Sequence, residues 1–338
     1  MSVLDRFDDS VPRPPASHCR PLHLDVPAWA LQRVGAEGDP SWCDTGALRE
    51  RRLEAEAFRL LSIEIPDARS LSAGDLETAV HDAYARLAEA LGDGSCSMPV
   101  RLWNFLPGIL QPLGDEPHRY MVFNAGRHRA LEQQLGGGLS ARVATATGVG
   151  HAGDTFAVHC LASRQGGVPV ENPRQIPAYR YSRRYGTRPP CFARATRVAS
   201  ESLLLVGGTA SVVGEDSRHL DCPRGQVRET LRNLAALVWT AALNGHRPAG
   251  LSAPSGTALR PLLAAYQSLR AYQSLRVYLV DPGHRAIFED ELAPLASDDL
   301  EVEWLTADLC RPELLVEIEG VADLRRAVGP GAATETPG

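Results

Sequence analysis

The stretch "CRPELLVEIEG", Cys310 to Gly320, decides how the chain is read. Leu314, Val316 and Ile318 alternate with Leu315, Glu317 and Glu319, which is the period of a half-buried β-strand with one apolar face. Same-face neighbours on a strand lie about 7 Å apart, so Glu317 and Glu319 share the other face at that spacing. A Cys-Arg-Pro turn delivers the chain into the strand. Two readings of the acidic face are open. It is a solvated surface, because charged side chains are almost never fully buried, or it is a carboxyl pair in which one charge and partial burial keep a proton on the neighbour around neutrality.

Outward from that strand the elements fall in a regular order. "SLLLVGGTASVVG" reads as a strand and turn, and "RGQVRETLRNLAALVWTAALNG" as a helix with Val227, Leu231, Leu234, Val238 and Ala241 inward and Gly245 at its end. The strand "SLRVYLVDP", the helix "GHRAIFEDELAPLA" and the strand "LEVEWLTADL" follow. The same order occurs earlier. "AFRLLSIEIPD" is a strand, and "SAGDLETAVHDAYARLAEALGD" a helix capped by Ser72 or Asp75, with Leu76, Val80, Ala83, Leu87 and Leu91 inward. Then come the strand "MPVRLWNFLPGI", a helix around "FNAGRHRALEQQLGG", and the strands "ARVATATGVG" and "DTFAVHCLAS". A repeated order of elements predicts a repeat architecture of the α+β class. The expected division is an arm over 1–19, a first unit over 20–165, a connecting segment over 166–195, and a second unit over 196–338 that carries the two acids.

The connecting segment contains "ENPRQIPAYRYSRRYGTRPPCFARATR". A loop of about thirty residues with little apolar content is uncommon inside a compact domain and is functional, disordered or a surface crossover. Its three tyrosines and many arginines argue against simple disorder.

The chain has 338 residues, enough for two units, and a formal charge of −6. No run of Lys or Arg marks a nucleic-acid surface, and no apolar run approaches the roughly 18 residues of a membrane span. A cytoplasmic protein is expected. Seven cysteines without a CxxC pair indicate neither a disulfide frame nor a zinc site, so no metal is expected.

The succession "LLLVGGTAS", "GQVRETLRNLAALV" and "VEIEG" resembles the RidA (YjgF) fold, which is chorismate-mutase-like and forms trimers with ligand sites in the clefts between subunits. The chain as a whole resembles a narrower family, the chorismatases of bacterial natural-product pathways. The stretches "VRLWNFLPGI", "GRHRAL", "ATGVG", "ENPRQIPAYRYSRRYG" with "FARAT", and "CRPELLVEIEG" carry that match. The resemblance implies a pseudo-symmetric monomer of RidA-like units, with chorismate as the substrate and no organic cofactor or metal. It assigns to Glu317 the protonation of the enol-ether methylene, a step that needs a strong, positioned general acid.

Members of the 3-hydroxybenzoate synthase type release 3-hydroxybenzoate and pyruvate through an arene-oxide-like intermediate. Hydrolytic members let water in and release a dihydroxycyclohexadiene carboxylate and pyruvate. The aromatising type carries cysteine and glycine where the hydrolytic type carries alanine, and Cys310 and Gly225 match those two places. Arg311, beside Cys310, is close enough to lower the thiol pKa, but nothing in the sequence demonstrates a thiolate, and a lone cysteine is also often a small buried hydrophobe. RidA proteins bind a carboxylate through an arginine that "EVEWLTAD" lacks. The candidates for substrate binding are therefore Arg127, expected near a helix start, with Tyr179, Arg180, Arg194 and Arg311, since the guanidinium fork suits carboxylates. A different class of answer is a non-catalytic RidA-like ligand-binding module, which the presence of Glu317 disfavours.

Overall fold

The computed structural model describes residues 19–35, 42–92, 95–199, 201–243 and 268–327. The expected arm lies outside them apart from Cys19, as does Gly245. Two mixed sheets carry the chain, one of six strands and one of seven.

In the first sheet, strand Phe58–Ile65 pairs antiparallel with Leu48–Glu54 and with Phe156–Ser163. Phe156–Ser163 also pairs antiparallel with Met98–Pro107, which runs parallel to Thr145–His151. In the second, Leu203–Ala210 pairs antiparallel with Ala195–Val198 and with Val316–Asp323. Val316–Asp323 pairs antiparallel with Tyr272–Leu279, which runs parallel to Glu301–Thr306. Strand by strand, the order and directions are the same. Among the described residues each set also interleaves two longer helices, Ala73–Gly92 and Arg119–Leu135 in the first, Pro223–Ala242 and Arg285–Leu292 in the second. Leu76, Val80, Ala83, Leu87 and Leu91 are buried, and Ser72 Oγ accepts from the Asp75 backbone N–H at 3.3 Å, a serine cap.

The sheets exchange strands at their edges. Arg20–Pro21 lies beside Leu305 and Thr306 in the second sheet, and Gly167–Val170 pairs there with Ala195–Val198. The connecting segment thus leaves and re-enters the second sheet on neighbouring strands, with the stretch between thrown over the space between the sheets.

Val316–Asp323 differs from the half-exposed strand the sequence suggests: every residue in it is buried. Val316, Ile318 and Ala322 pack with Val227, Leu231, Leu234 and Val238 of the Pro223–Ala242 helix. The face bearing Glu317 and Glu319 turns toward the first sheet, so sheet stacking removes it from water. Solvation of the pair is excluded by that packing.

The repeat also locates the acid in one sheet only. Both pairings start with a bulge, between Pro99 and Arg101 and between Tyr272 and Ser274. Counted from there, Glu317 and Glu319 correspond to Ala157 and His159. His159 is fully buried, held by Ser62 Oγ at 2.7 Å and the Leu24 carbonyl at 2.9 Å, and burial pushes its pKa down to about 4. The first sheet keeps a neutral packing residue where the second keeps a carboxylate.

Candidate active site

A cavity of about 550 Å³ opens between the sheets. Thr147 of the first sheet, Tyr120 and Arg127 of the Arg119–Leu135 helix, Gly208, Cys310, Arg311 and Glu317 all reach it. The connecting segment adds Gln175, Tyr181, Arg184, Tyr185, Phe192 and Arg194. Tyr181, Tyr185, Arg184 and Arg194 of that segment form one wall.

Glu319 lies behind the wall, 2 % exposed. Its Oε2 accepts from Arg101 Nη2 at 2.7 Å and its Oε1 from Trp103 Nε1 at 2.9 Å. Thr147 Oγ1 also bonds Oε2. The direction of that last bond is fixed, because the same hydroxyl oxygen meets two obligate donors, Arg101 Nη2 and the Gly208 backbone N–H. Its proton therefore points at Glu319. Three donors thus converge on the one Glu319 carboxyl.

Glu317 is the opposite case. Its side chain is 4 % exposed, lines the cavity, and accepts no hydrogen bond from any described residue. Burial, and then the negative charge of Glu319, push its pKa up to about 8 against the pull of Arg101, Arg194 and Arg311. Two acids on one strand face are thus separated by their surroundings, one charged and one carrying a proton near neutrality. The strand beside them makes room. Between Val206 and Thr209 the ladder with Val316–Asp323 slips, a bulge at Gly207 and Gly208. A Cβ on Gly208 would stand 1.9 Å from Glu317 Oε1. Glycine here is what lets the carboxyl lie against the backbone.

Cys310 is half-buried on the cavity wall and packs against the cores of both sheets. Burial and the nearby Glu317 push its pKa up to about 12, outweighing Arg311. Cys310 is thus a neutral, apolar wall, which agrees with the small-hydrophobe reading of its sequence position and not with an activated thiol.

The arginines divide. Arg127 is 1 % exposed, packs on the Phe123 ring at 4.8 Å and donates to Asn124 Oδ1 at 3.1 Å. It sits mid-helix rather than near a helix start, because the helix begins at Arg119. Arg194 donates to Tyr181 Oη at 2.5 Å and to the Ile176 carbonyl at 3.1 Å, and its buried Nε has no partner. Arg311 stacks on the Tyr185 ring at 4.0 Å and donates to the Glu215 carbonyl at 2.9 Å. These three arginines, with Arg184 as a fourth, line one cavity. Arg180 is exposed and Tyr179 lies in a 3-10 turn, Ala178–Arg180; neither reaches the cavity. Tyr181, their neighbour, does. Gly225 also lies off the cavity, in the first turn of Pro223–Ala242, where a Cβ would meet His219 Cβ at 2.9 Å and Cys222 Sγ at 3.1 Å. It can reach the cavity through that loop, whose Leu220 is a lining residue.

Sequence reading missed the residues that set the charge state: Arg101, Trp103, Thr147 and the Gly208 bulge. A signal was present, since Arg101 interrupts an otherwise apolar strand, but its partner is 218 positions away in the chain. Among the described residues no group of three or more His, Cys, Asp or Glu could hold a metal, and no helix is long and apolar enough to cross a membrane.

Residues 43–162 match the family model described as chorismatase FkbO/Hyg5-like, N-terminal. A 3-hydroxybenzoate synthase of Streptomyces hygroscopicus is 36% identical over 257 residues, covering 73% of this chain and 70% of that protein. A chorismatase of Streptomyces rapamycinicus is 32% identical over 262 residues, covering 76% and 72%. A chorismatase crystal structure superposes with a TM-score of 0.67 at 26% identity, covering 84% of this chain and 80% of that one. Identity at this level across most of both chains makes this protein an enzyme of the chorismatase family.

Proposed function

We propose that the enzyme converts chorismate to 3-hydroxybenzoate and pyruvate, with Glu317 as the general acid. The observation that carries this reading is the Glu317 carboxyl, facing the cavity with its pKa pushed up to about 8 beside the ionised Glu319. Protonating a carbon atom is slow and needs an acid that is both poised and placed. Glu317 gives its proton to the terminal methylene of the enol ether, which becomes a methyl group, and an oxocarbenium ion forms at the adjacent carbon. The glutamate is then an anion beside that cation. Burial makes their attraction far larger than it would be in water, and Glu319 adds a second fixed negative charge behind it.

The neighbouring ring hydroxyl oxygen attacks the ring carbon that bears the ether, and that C–O bond breaks with its electrons forming the ketone of pyruvate. The hydroxyl proton returns to the Glu317 carboxylate. The arene-oxide-like intermediate then opens and loses a ring C–H proton as its oxygen gains one, giving the phenol. The two products together have the atoms of chorismate, so no water, oxidant or reductant is consumed. Arg127, Arg194 and Arg311 are the groups of suitable charge for the two substrate carboxylates. The neutral Cys310 side chain fills wall space where the hydrolytic outcome would need a water. The relative named a 3-hydroxybenzoate synthase supports the aromatising outcome, and the relatives named only chorismatase leave hydrolysis as the competing one. Incubation with chorismate and chromatography of the products separates them. Equimolar pyruvate and 3-hydroxybenzoate support the proposal; the dihydroxycyclohexadiene carboxylate in place of the aromatic acid rejects the aromatising step; unchanged chorismate rejects the whole reading.

A further inference from the structure

Glu171 is a half-buried acid, with its carboxyl oxygens out of contact with solvent, that the mechanism above does not use. It follows strand Gly167–Val170, whose last pair is Val170 with Ala195, so the next cross-strand position sets Glu171 opposite Arg194. Both of its carboxyl oxygens are buried and neither has a hydrogen-bond partner. Arg194 Nε is likewise buried and unpartnered, while its Nη2 is turned to Tyr181 and the Ile176 carbonyl. An acid and a guanidinium thus lie side by side without pairing; Arg194 lines the cavity and Glu171 stands behind it, off the cavity wall.

We propose that Glu171 is a positioning residue that competes with a substrate carboxylate for Arg194, so that binding of the dianion requires Glu171 to hold its proton. The proposal rests on the chorismate reading above. Unpaired burial favours the neutral acid, and it pushes the Glu171 pKa up to about 7 against the pull of Arg194 and Arg180. These two arginines are the charged groups bearing on it; Tyr179 is the neighbouring phenol. Glu229, on the helix that also touches this strand, is engaged by Arg174. With the proton on, Arg194 keeps its full charge for the cavity. With the proton off, Glu171 draws the guanidinium back and cancels that charge. Linkage then runs both ways: substrate held by Arg194 raises the affinity of Glu171 for its proton, and loss of the proton weakens substrate.

The test is steady-state pyruvate release from chorismate by the full chain between pH 6 and 8, with KM and kcat separated. Wild-type KM is expected to rise about tenfold across that range, because one proton must be regained to bind. The Glu171→Gln variant keeps shape without ionising. Its KM is expected to rise at most about twofold, the part due to Glu317, while the alkaline fall of kcat stays as in wild type. A wild-type KM constant within twofold overturns the proposal without any variant, and so does a Glu171→Gln profile parallel to wild type. Absence of pyruvate release in wild type overturns the chorismate reading and this proposal with it, and is recognised because no KM exists to compare.

Discussion

Replacing Glu319 by glutamine removes the negative charge that stands behind the proposed acid and leaves the strand otherwise intact. Two same-face carboxyls on a strand are about 7 Å apart. At an effective dielectric of about 20, one charge acts on the other at that distance with about 2.4 kcal/mol, which displaces a pKa by about 1.7. The Glu317 pKa, pushed up to about 8 in the native protein, therefore falls to a little above 6 in Glu319→Gln. Burial, the larger cause, still holds it above the ordinary carboxyl range. A general acid works in its protonated form, so kcat falls as pH rises through this pKa. At pH 8 about half of the native enzyme carries the proton against about one part in fifty of the variant, a loss of about 25-fold in kcat. At pH 5.5 the two should be nearly equal. Arg101 loses its counter-charge, and removing one partner of a buried pair costs about 3–5 kcal/mol, so Tm is measured alongside and turnover is assayed well below it. A folded variant whose alkaline limb remains near its wild-type position would refute the coupling and leave burial alone to hold the proton.

Gly208→Ala places a Cβ 1.9 Å from Glu317 Oε1, and the carboxyl must swing aside; misplacement of a reacting group by about 1 Å costs about a hundredfold in kcat, and wild-type turnover would show that Glu317 acts from another position. Cys310→Ala should continue to release pyruvate from chorismate while 3-hydroxybenzoate gives way to the dihydroxydiene acid, since a barrier difference of about 1.4 kcal/mol shifts a product ratio tenfold; an unchanged ratio in the chromatogram reduces Cys310 to packing. Arg127→Ala should raise KM more than it lowers kcat, as for a carboxylate contact present in ground and transition states alike, and a KM equal to wild type would leave the carboxylates to Arg194 and Arg311.

The elements were legible where local periodicity controls them. The apolar stripe from Leu76 to Leu91 and the one from Val227 to Ala241 mark helices that bury those residues. The alternation in "LLVEIEG" marks a strand, but the exposure of its acidic face is not a local property. Only the first sheet, stacked on it, decides that Glu319 meets Arg101, Trp103 and Thr147 and that Glu317 meets none of them. The same limit explains the arginines. Arg194 reaches the cavity because the connecting segment folds back over it, and Arg311 because its turn leads into the Glu317 strand, whereas Arg180, in the connecting segment, turns outward. The Gly207–Gly208 bulge was visible as a glycine pair in a strand, with a meaning that depends on a carboxyl 109 residues later in the chain. Cys310 was placed correctly in the chain beside Arg311, yet the thiol is governed by burial and Glu317 instead.

The central claim is that Glu317 supplies the proton that breaks the enol ether. Its most direct test is to measure chorismate binding and single-turnover pyruvate release side by side in wild type and Glu317→Gln, since the amide keeps the shape of the carboxyl and has no acidic proton. The account predicts a dissociation constant within about threefold of wild type and pyruvate release slower by about a thousandfold, the middle of the roughly 10²–10⁴-fold range of general acid contributions. A variant that binds chorismate and releases pyruvate at a rate close to wild type would contradict it.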